Sequence, residues 1–231
     1  MKKTKVILMD VEGTTTSISY VHDVLFPFSK DKMCQFVEEN GDILEVENEL
    51  NKVVETVLKE EDKVIEVCDT APYLIKWIVE DRKHPALKTI QGFIWKLGYQ
   101  KGKLKGHVYN DIPLRFRSWS RKFKLAIYSS GSVEAQEMLF KHSIAGDLTP
   151  YLNHHFDTAV GAKKEVASYK EIAKQLDVEP EAILFLSDIV EELDAATDAG
   201  MQVTQLFRDD VPEEKYCKHP YALTFNDLVI K

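Results

Sequence analysis

The sequence is poor in cysteine and lacks any long apolar run. Its 231 residues include three cysteines, Cys34, Cys68 and Cys217, which lie far apart and form no C-x-x-C pair. An odd number of scattered cysteines indicates neither a disulfide framework nor a zinc motif, so we expect a reduced, cytoplasmic setting, with the nucleus in addition in a eukaryote. No stretch approaches the roughly eighteen apolar residues of a membrane-spanning helix. We therefore expect no membrane association.

An excess of positive charge is also absent. The chain has 30 lysine and arginine residues against 38 aspartate and glutamate residues, a net charge of -8. This balance argues against nucleic-acid binding, although local charges can still favour a small anionic substrate. The hydrophobic content of 44% suffices for a large core, or for a core domain with a smaller partner domain.

The residues that follow the first apolar run are acidic. Val6-Ile7-Leu8-Met9 predicts a short buried strand, and Asp10-Val11-Glu12-Gly13-Thr14-Thr15 predicts the turn after it. In an open α/β sheet, ligands bind at the carboxyl ends of the strands. Asp10 is therefore a candidate nucleophile and Glu12 a candidate proton carrier, while the alternative is a solvated acidic turn.

The stretch from residue 18 to residue 111 shows helical periodicity instead. Apolar residues such as Leu50, Val53 and Val57 recur on one helical face, and no convincing strand appears. We therefore expect a helical domain over residues 18–111, inserted into an α/β core domain made of residues 1–17 and 112–231. Pro27 is expected at the start of a helix or at the hinge.

Further short apolar runs predict the remaining strands of an α/β fold. The pattern places strands over residues 125–128, 156–158, 183–186, 203–207 and 222–225. Helices are expected in between, one of them over residues 133–140. The adjacent histidines 154 and 155 have no suitably spaced third ligand, so they do not predict a metal site.

Small hydroxyl residues and lysines follow two of these runs. Ser129 and Ser130 lie between a strand and a helix, where side-chain hydroxyls and backbone N–H groups can bind an anion, whereas Ser132 is expected to cap the helix. Lys163 and Lys164 precede another helix, and either could neutralise a phosphate. Spacing alone does not choose between the two lysines.

A second strand-end carboxylate, Asp188, follows the run at residues 183–186. Two carboxylates that converge in a crevice repel each other unless a cation lies between them, and oxygen ligands favour magnesium. Glu191 and Glu192 are explained by the helix dipole. Together these residues predict a phosphomonoester hydrolase in which Asp10 forms an aspartyl-phosphate that water then hydrolyses.

The order of these motifs resembles the haloacid dehalogenase superfamily. Within it, the residues D-V-E-G-T-T-T at 10–16, Y-S-S-G-S-V-E-A-Q at 128–136 and Q-G-F-I-W at 91–95 resemble the enolase-phosphatase family. The stretch from Phe156-Asp157-Thr158 to Ser168-Tyr169 is similar too, so the resemblance covers nearly the whole chain. It implies a doubly wound, mostly parallel sheet with an inserted helical cap domain.

The resemblance also implies a reaction and roles for residues. The reaction is the enolisation and dephosphorylation of 2,3-diketo-5-methylthiopentyl 1-phosphate to the acireductone 1,2-dihydroxy-3-keto-5-methylthiopentene, a step of methionine salvage. Asp10 would be the nucleophile and a ligand of Mg²⁺, bound once per subunit. Glu12 would give its backbone carbonyl to the metal and its carboxylate to proton transfer. Asp188 would complete the metal site.

Substrate contacts are implied as well. Ser129, Ser130 and Lys163, rather than Lys164, would bind the phosphorylated small molecule, and the protein is expected to act as a monomer. Ile189 stands where many superfamily phosphatases have a second aspartate, which leaves the outer-sphere metal ligand unassigned. The alternatives are another phosphatase of this superfamily, a metal-free dehalogenase of the same fold, or a non-catalytic receiver-type module.

Overall fold

The computed structural model describes residues 3–208, 213 and 217–230. The chain divides into two compact units, one made of Met1–Ile18 with Lys105–Lys231 and the other of Ser19–Leu104. We call them the α/β unit and the helical unit. The role of the helical unit as a cap domain stays a prediction.

A parallel sheet forms the centre of the α/β unit. In the described residues it has six strands in the order β3-β2-β1-β4-β5-β6, and all their pairings are parallel. The predicted α/β doubly wound fold is therefore confirmed. The strands are β1 (Val6–Met9), β2 (Lys124–Tyr128), β3 (His154–Phe156), β4 (Ile183–Ser187), β5 (Gln202–Leu206) and β6 (Tyr221–Ala222).

The register of the central strands brings the predicted site loops to one edge. Met9 of β1 pairs with Ile127 of β2 on one side and with Leu186 of β4 on the other. The strand order reverses at β1, and the crevice at such a reversal is where doubly wound proteins bind ligands. Asp10 and Asp188 follow the two strands that flank this crevice.

Helices make up most of the remaining described chain. In the helical unit and at its entry these are α1 (Ile18–Tyr20), a π-helical turn (Val21–Leu25), α2 (Phe26–Asn40), α3 (Leu44–Glu61), α4 (Ala71–Val79) and α5 (Pro85–Gln100). In the α/β unit they are α6 (Ile112–Trp119), α7 (Val133–Lys141), α8 (Val166–Gln175) and α9 (Val190–Asp198). No helix of the described chain is long and apolar enough to span a membrane.

The core of the α/β unit packs helices α8 and α9 against the sheet and orients a site loop. Tyr128, Tyr169 and Phe185 are buried there. The Tyr128 hydroxyl donates to the Gly161 carbonyl at 3.0 Å, and the Tyr169 hydroxyl donates to the Lys163 carbonyl at 2.6 Å. Because buried hydroxyls need partners, these two bonds tie the loop that carries Lys163 to the core.

The helical unit has its own core. Met33, Leu50, Leu74 and Ile90, from four different helices, are fully buried in it. Pro27 lies in the first turn of α2, directly after the π-helical turn that ends at Leu25, and so stands at the start of a helix as predicted.

Three predicted strand ends were wrong: β5 ends at Leu206 rather than at residue 207, and at β3 and β6 a side chain caps the turn that follows. The start of β3 was also wrong, because this strand begins at His154. Strand β3 ends at Phe156, and the Asp157 carboxylate accepts from the N–H of Ala159 at 2.8 Å, which starts a 3₁₀ turn at Thr158–Val160. Strand β6 ends at Ala222. The Thr224 hydroxyl caps a second 3₁₀ turn over Phe225–Asp227.

Candidate active site

The loop after β1 coils tightly around one carbonyl group. The Val11 oxygen accepts from the N–H groups of Thr14, Thr15 and Thr16 at 3.2, 2.9 and 2.9 Å. The Thr15 hydroxyl also donates to the carbonyl of Asp10 at 3.1 Å. These bonds fix the backbone that follows the Asp10 side chain, and Asp10 is 3% exposed.

Gly13 allows this loop to approach Asp188 closely. Its φ angle is +74°, and a Cβ atom built on it would lie 2.4 Å from Asp188 Oδ2. The neighbouring Thr14 hydroxyl donates to Asp188 Oδ1 at 3.4 Å, a long hydrogen bond. Only glycine combines a positive φ with this clearance.

The segment in which the chain returns from the helical unit holds the end of the loop. The Thr16 hydroxyl donates to the His107 carbonyl at 2.6 Å, and the Ser17 N–H donates to His107 Nδ1 at 3.1 Å. The N–H of Tyr109 donates to the Thr15 carbonyl at 3.1 Å. This segment was not among the predicted site residues, because no local pattern reveals pairing across about ninety residues.

Lys163 lies against the candidate nucleophile. Its Nζ atom is 2.5 Å from Asp10 Oδ1 and 2.8 Å from Glu192 Oε2, and its side chain is 9% exposed. Lys164 is exposed, and its Nζ atom lies 3.7 Å from Glu191. Of the two lysines that spacing left open, the structure therefore places Lys163 beside Asp10.

The surroundings keep Lys163 charged. Burial by itself would lower the pKa of this ammonium, but the Asp10 and Glu192 carboxylates and their hydrogen bonds outweigh burial, so the pKa is raised. Lys163 is therefore a permanent cation beside Asp10 at neutral pH.

Glu192 belongs to the site, and its explanation by the helix dipole alone was wrong. Besides its ion pair with Lys163, it accepts a hydrogen bond from the Ser187 hydroxyl at 2.9 Å. Burial, followed by the Asp10 charge, raises its pKa to about 7. The available signal was its place in the first turn of α9, close behind Asp188 at the strand end.

The other two carboxylates of the site are also hard to ionise. Burial and the Asp10 charge raise the pKa of Glu12 to about 7, with a smaller contribution from Asp188 and opposition from Lys163. Burial and Asp10 raise the pKa of Asp188 to about 6. Negative charge therefore exceeds positive charge at this edge, which a bound cation would offset.

The serines after β2 differ in exposure. The Ser129 side chain is buried and accepts from the N–H of Gly131 at 3.1 Å, whereas Ser130 is exposed. The Ser132 hydroxyl caps α7 by accepting from the N–H of Ala135 at 3.3 Å, as predicted. Ser129 thus shapes the turn, and Ser130 stands at its surface.

The implied magnesium site has few protein ligands. In the described residues no group of three or more His, Cys, Asp or Glu side chains is arranged as a metal site. The implied set needs only two carboxylates, from Asp10 and Asp188, together with the backbone carbonyl of Glu12. Magnesium accepts such a set because it keeps several waters and takes only one or two protein carboxylates.

The comparison with known sequences identifies close relatives. The model of the haloacid dehalogenase-like hydrolase family matches residues 4–200. The chain is 45% identical over 225 residues to enolase-phosphatase E1 of Thioalkalivibrio sulfidiphilus, covering 96% of this chain and 97% of that protein. It is 46% identical over 215 residues to enolase-phosphatase E1 of Drosophila mojavensis, covering 88% and 85%.

Solved structures agree on the fold. The UTR4 protein of Saccharomyces cerevisiae matches with a TM-score of 0.80 and 30% identity, over 98% of this chain and 100% of that chain. The L-2-haloacid dehalogenase of Xanthobacter autotrophicus matches with a TM-score of 0.57 at 16% identity, over 97% and 96%, a likeness of fold alone. The family model covers most of the chain and the relatives cover nearly all of it, so the chain belongs to the haloacid dehalogenase-like hydrolases and, within them, to the enolase-phosphatase family.

Proposed function

We propose that the chain is a magnesium-dependent enolase-phosphatase of methionine salvage. Its substrate is 2,3-diketo-5-methylthiopentyl 1-phosphate, and its products are the acireductone and phosphate. The identity of about 45% to enolase-phosphatases over nearly the full chain supports this substrate class. The observation that carries the proposal is the Asp10 carboxylate, buried at the switch point of the sheet with Lys163 Nζ 2.5 Å away.

Asp10 is the nucleophile. Its carboxylate attacks phosphorus in line with the leaving enol oxygen, and an aspartyl-phosphate forms as the ester bond breaks. Water then cleaves the acyl phosphate and regenerates Asp10. The bonds from Thr15 and the neighbouring turn hold the backbone of Asp10 in place, so that little reorganisation is needed on attack.

Lys163 neutralises charge next to the nucleophile. A phosphate that approaches Asp10 comes within reach of the Lys163 ammonium and takes over part of its interaction with the carboxylates. Glu192 holds the other side of the ammonium at 2.8 Å. The lysine therefore stays oriented when Asp10 is consumed in the covalent intermediate.

Asp10, Asp188 and the carbonyl of Glu12 are the proposed ligands of one magnesium ion. When bound, the ion neutralises the developing charge on the phosphoryl oxygens. Gly13 and Thr14 lie against Asp188 and restrict where its carboxylate can point.

Glu12 is proposed to carry protons. With a pKa raised to about 7, it can both hold and release a proton at neutral pH, which suits a general acid and base.

Ser129 and Ser130 are proposed to bind substrate, through hydroxyl and backbone groups at the start of α7. We further propose a cytoplasmic monomer.

The test is an assay of purified protein with magnesium and the diketo phosphate, with simultaneous measurement of enol absorbance and phosphate release. Both signals are expected, and EDTA should abolish phosphate release. Phosphate release from p-nitrophenyl phosphate without either signal from the diketo phosphate would indicate a different phosphatase of the same family. Dehalogenation that survives EDTA would contradict the proposal.

A further inference from the structure

Arg208 is buried in the α/β unit between two aromatic rings. Its guanidinium carbon lies 4.5 Å from the centre of the Tyr109 ring and 4.7 Å from the centre of the Phe225 ring. The side chain is 4% exposed, and Nη1 donates to Asp111 Oδ2 at 2.8 Å. Asp111 is held in turn by the N–H of Phe225, which donates to the same oxygen at 2.6 Å.

A second hydrogen bond of this guanidinium reaches the loop of the nucleophile. Its Nε atom donates to the carbonyl of Thr14 at 2.8 Å. Thr14 and Gly13 form the surface against which Asp188 lies, through the Thr14 hydroxyl and the close approach at Gly13. Arg208 therefore holds the peptide that restricts the Asp188 carboxylate.

The buried ion pair of Arg208 with Asp111 contributes little to the stability of the fold. A buried ion pair gains little over well-packed apolar side chains, because both charges lose their hydration. In addition, Arg208 Nη2 is buried without a hydrogen-bond partner among the described residues. What the guanidinium offers instead is a planar set of donors with fixed directions, which suits the positioning of acceptors.

We propose that Arg208 is a positioning residue for the phosphatase reaction. Anchored by Asp111, it holds the Thr14 carbonyl so that Gly13 and Thr14 keep the Asp188 carboxylate directed at the magnesium site. This inference rests on the proposed function. It predicts that loss of the guanidinium weakens magnesium binding more than it weakens the fold.

The test compares Arg208→Gln and Arg208→Lys with the control Arg115→Gln. Arg115 also binds the C-terminal segment, through the side chain and carbonyl of Asn226 at 2.8 and 3.2 Å, but it has no bond to the nucleophile loop. In calorimetry with Mg²⁺ alone, Arg208→Gln should raise the Kd about tenfold or more. Arg208→Lys should have an intermediate effect, and Arg115→Gln should leave the Kd unchanged.

A double-mutant cycle separates positioning from general destabilisation. Thr14→Val removes the hydroxyl that contacts Asp188 and keeps the carbonyl that Arg208 holds. If Arg208 acts through this residue, Arg208→Gln should raise the Kd for Mg²⁺ less in the Thr14→Val background than in the wild type. Additive effects, together with a lower Tm, would indicate a purely structural role and overturn the proposal.

Failure of this inference is distinguishable from failure of the proposed function. If the wild type has magnesium-dependent phosphatase activity and folded Arg208→Gln binds Mg²⁺ like the wild type, the inference about Arg208 is wrong. If Arg208→Gln does not fold, Arg208→Lys decides, because a lysine keeps the buried charge but lacks the planar fork of donors. A Kd for Mg²⁺ equal to that of the wild type in Arg208→Lys would then overturn the inference. A wild type without magnesium-dependent activity would contradict the proposed function instead.

Discussion

The Lys163 side chain connects two carboxylates of the candidate site. It is the cation that pairs with both Asp10 and Glu192. Its neighbour Lys164 has the same charge but is exposed and lies beside Glu191 at 3.7 Å. The two adjacent lysines therefore form a matched pair for mutagenesis.

Lys163→Ala should lower kcat/KM by about 10² or more, because it removes charge stabilisation at the phosphoryl group. Lys164→Ala should stay within about twofold, since an exposed ion pair contributes little. Phosphate release and thermal unfolding are measured for both variants, because Lys163→Ala also leaves two buried carboxylates without their cation. Equal kinetic losses would contradict the role of Lys163.

Residue types indicated the candidate site residues better than they indicated which side chains contact each other there. Asp10 and Asp188 are recognisable because each follows a short apolar run, and the carboxyl ends of parallel strands meet at one edge. Glu192 was misread because a glutamate in a first helical turn already has a sufficient local reason. Its contact with Lys163 depends on the loop before α8 meeting helix α9, which local sequence does not encode.

At the scale of elements, the loop from Asp10 to Thr16 is the most constrained part of the site. Gly13 has a φ of +74° and lies against Asp188, whereas Gly146 has a φ of +89° with open space around its Cβ position. Both glycines adopt a backbone conformation that alanine disfavours. Only Gly13 adds a clash with a proposed metal ligand.

Gly13→Ala should therefore lose most of its magnesium-dependent activity, by about 10² or more, because Asp188 must move. Gly146→Ala should cost about 1 kcal/mol of stability from the backbone alone and keep its activity. Activity assays at saturating magnesium and denaturant unfolding check both variants. Full activity in Gly13→Ala would show that the approach to Asp188 is not needed.

The elements themselves were largely predictable. Strand β1 matches its apolar run, and β2 and β4 each extend the predicted run by one residue. The errors at the ends of β3 and β6 arose where a capping side chain starts a 3₁₀ turn inside the predicted run. The pairing of residues near His107 with the nucleophile loop was missed, because it joins segments far apart in sequence.

At the scale of the whole molecule, the excess of buried carboxylates links stability to pH. The pKa values of Glu12 and Asp188 are about 7 and about 6 in the folded protein, above their ordinary values of 4.5 and 3.8. At these two groups the folded state therefore binds more protons than the unfolded state between these limits. In that window their contribution to the free energy of unfolding of the metal-free protein falls as the pH rises.

Asp188→Asn should reduce this loss. In EDTA at pH 8 the variant should unfold at a higher temperature than the wild type, by about 2–4 °C if about 1 kcal/mol is regained. At pH 5 the difference should shrink, because Asp188 is then largely protonated. Thermal scans at both pH values check this, with the exposed Asp31→Asn as control. A lower Tm for Asp188→Asn at pH 8 would contradict the charge excess.

The activity should depend on the identity of the cation. Magnesium should support phosphate release, and calcium should suppress it, because the larger ion has looser coordination and does not impose octahedral geometry. The measurement is the rate at fixed substrate with each ion and with mixtures of the two. Equal rates with calcium would contradict the proposed role of Mg²⁺.

In the proposed mechanism Asp10 attacks phosphorus, while other groups carry out the enolisation. Asp10→Asn keeps the shape of the side chain but cannot form the acyl phosphate, so phosphate release should fall by several orders of magnitude. Enolisation needs a base and stabilisation of the enolate oxygen, so it can continue without the nucleophile.

The most direct measurement is an ultraviolet trace of the enol, recorded beside a phosphate assay, on Asp10→Asn with magnesium and the diketo phosphate. Calorimetry first confirms that the variant binds both the metal and the substrate. The enol phosphate is then expected to accumulate with no phosphate released. Phosphate release within tenfold of the wild type, or neither signal despite confirmed binding, would contradict the account.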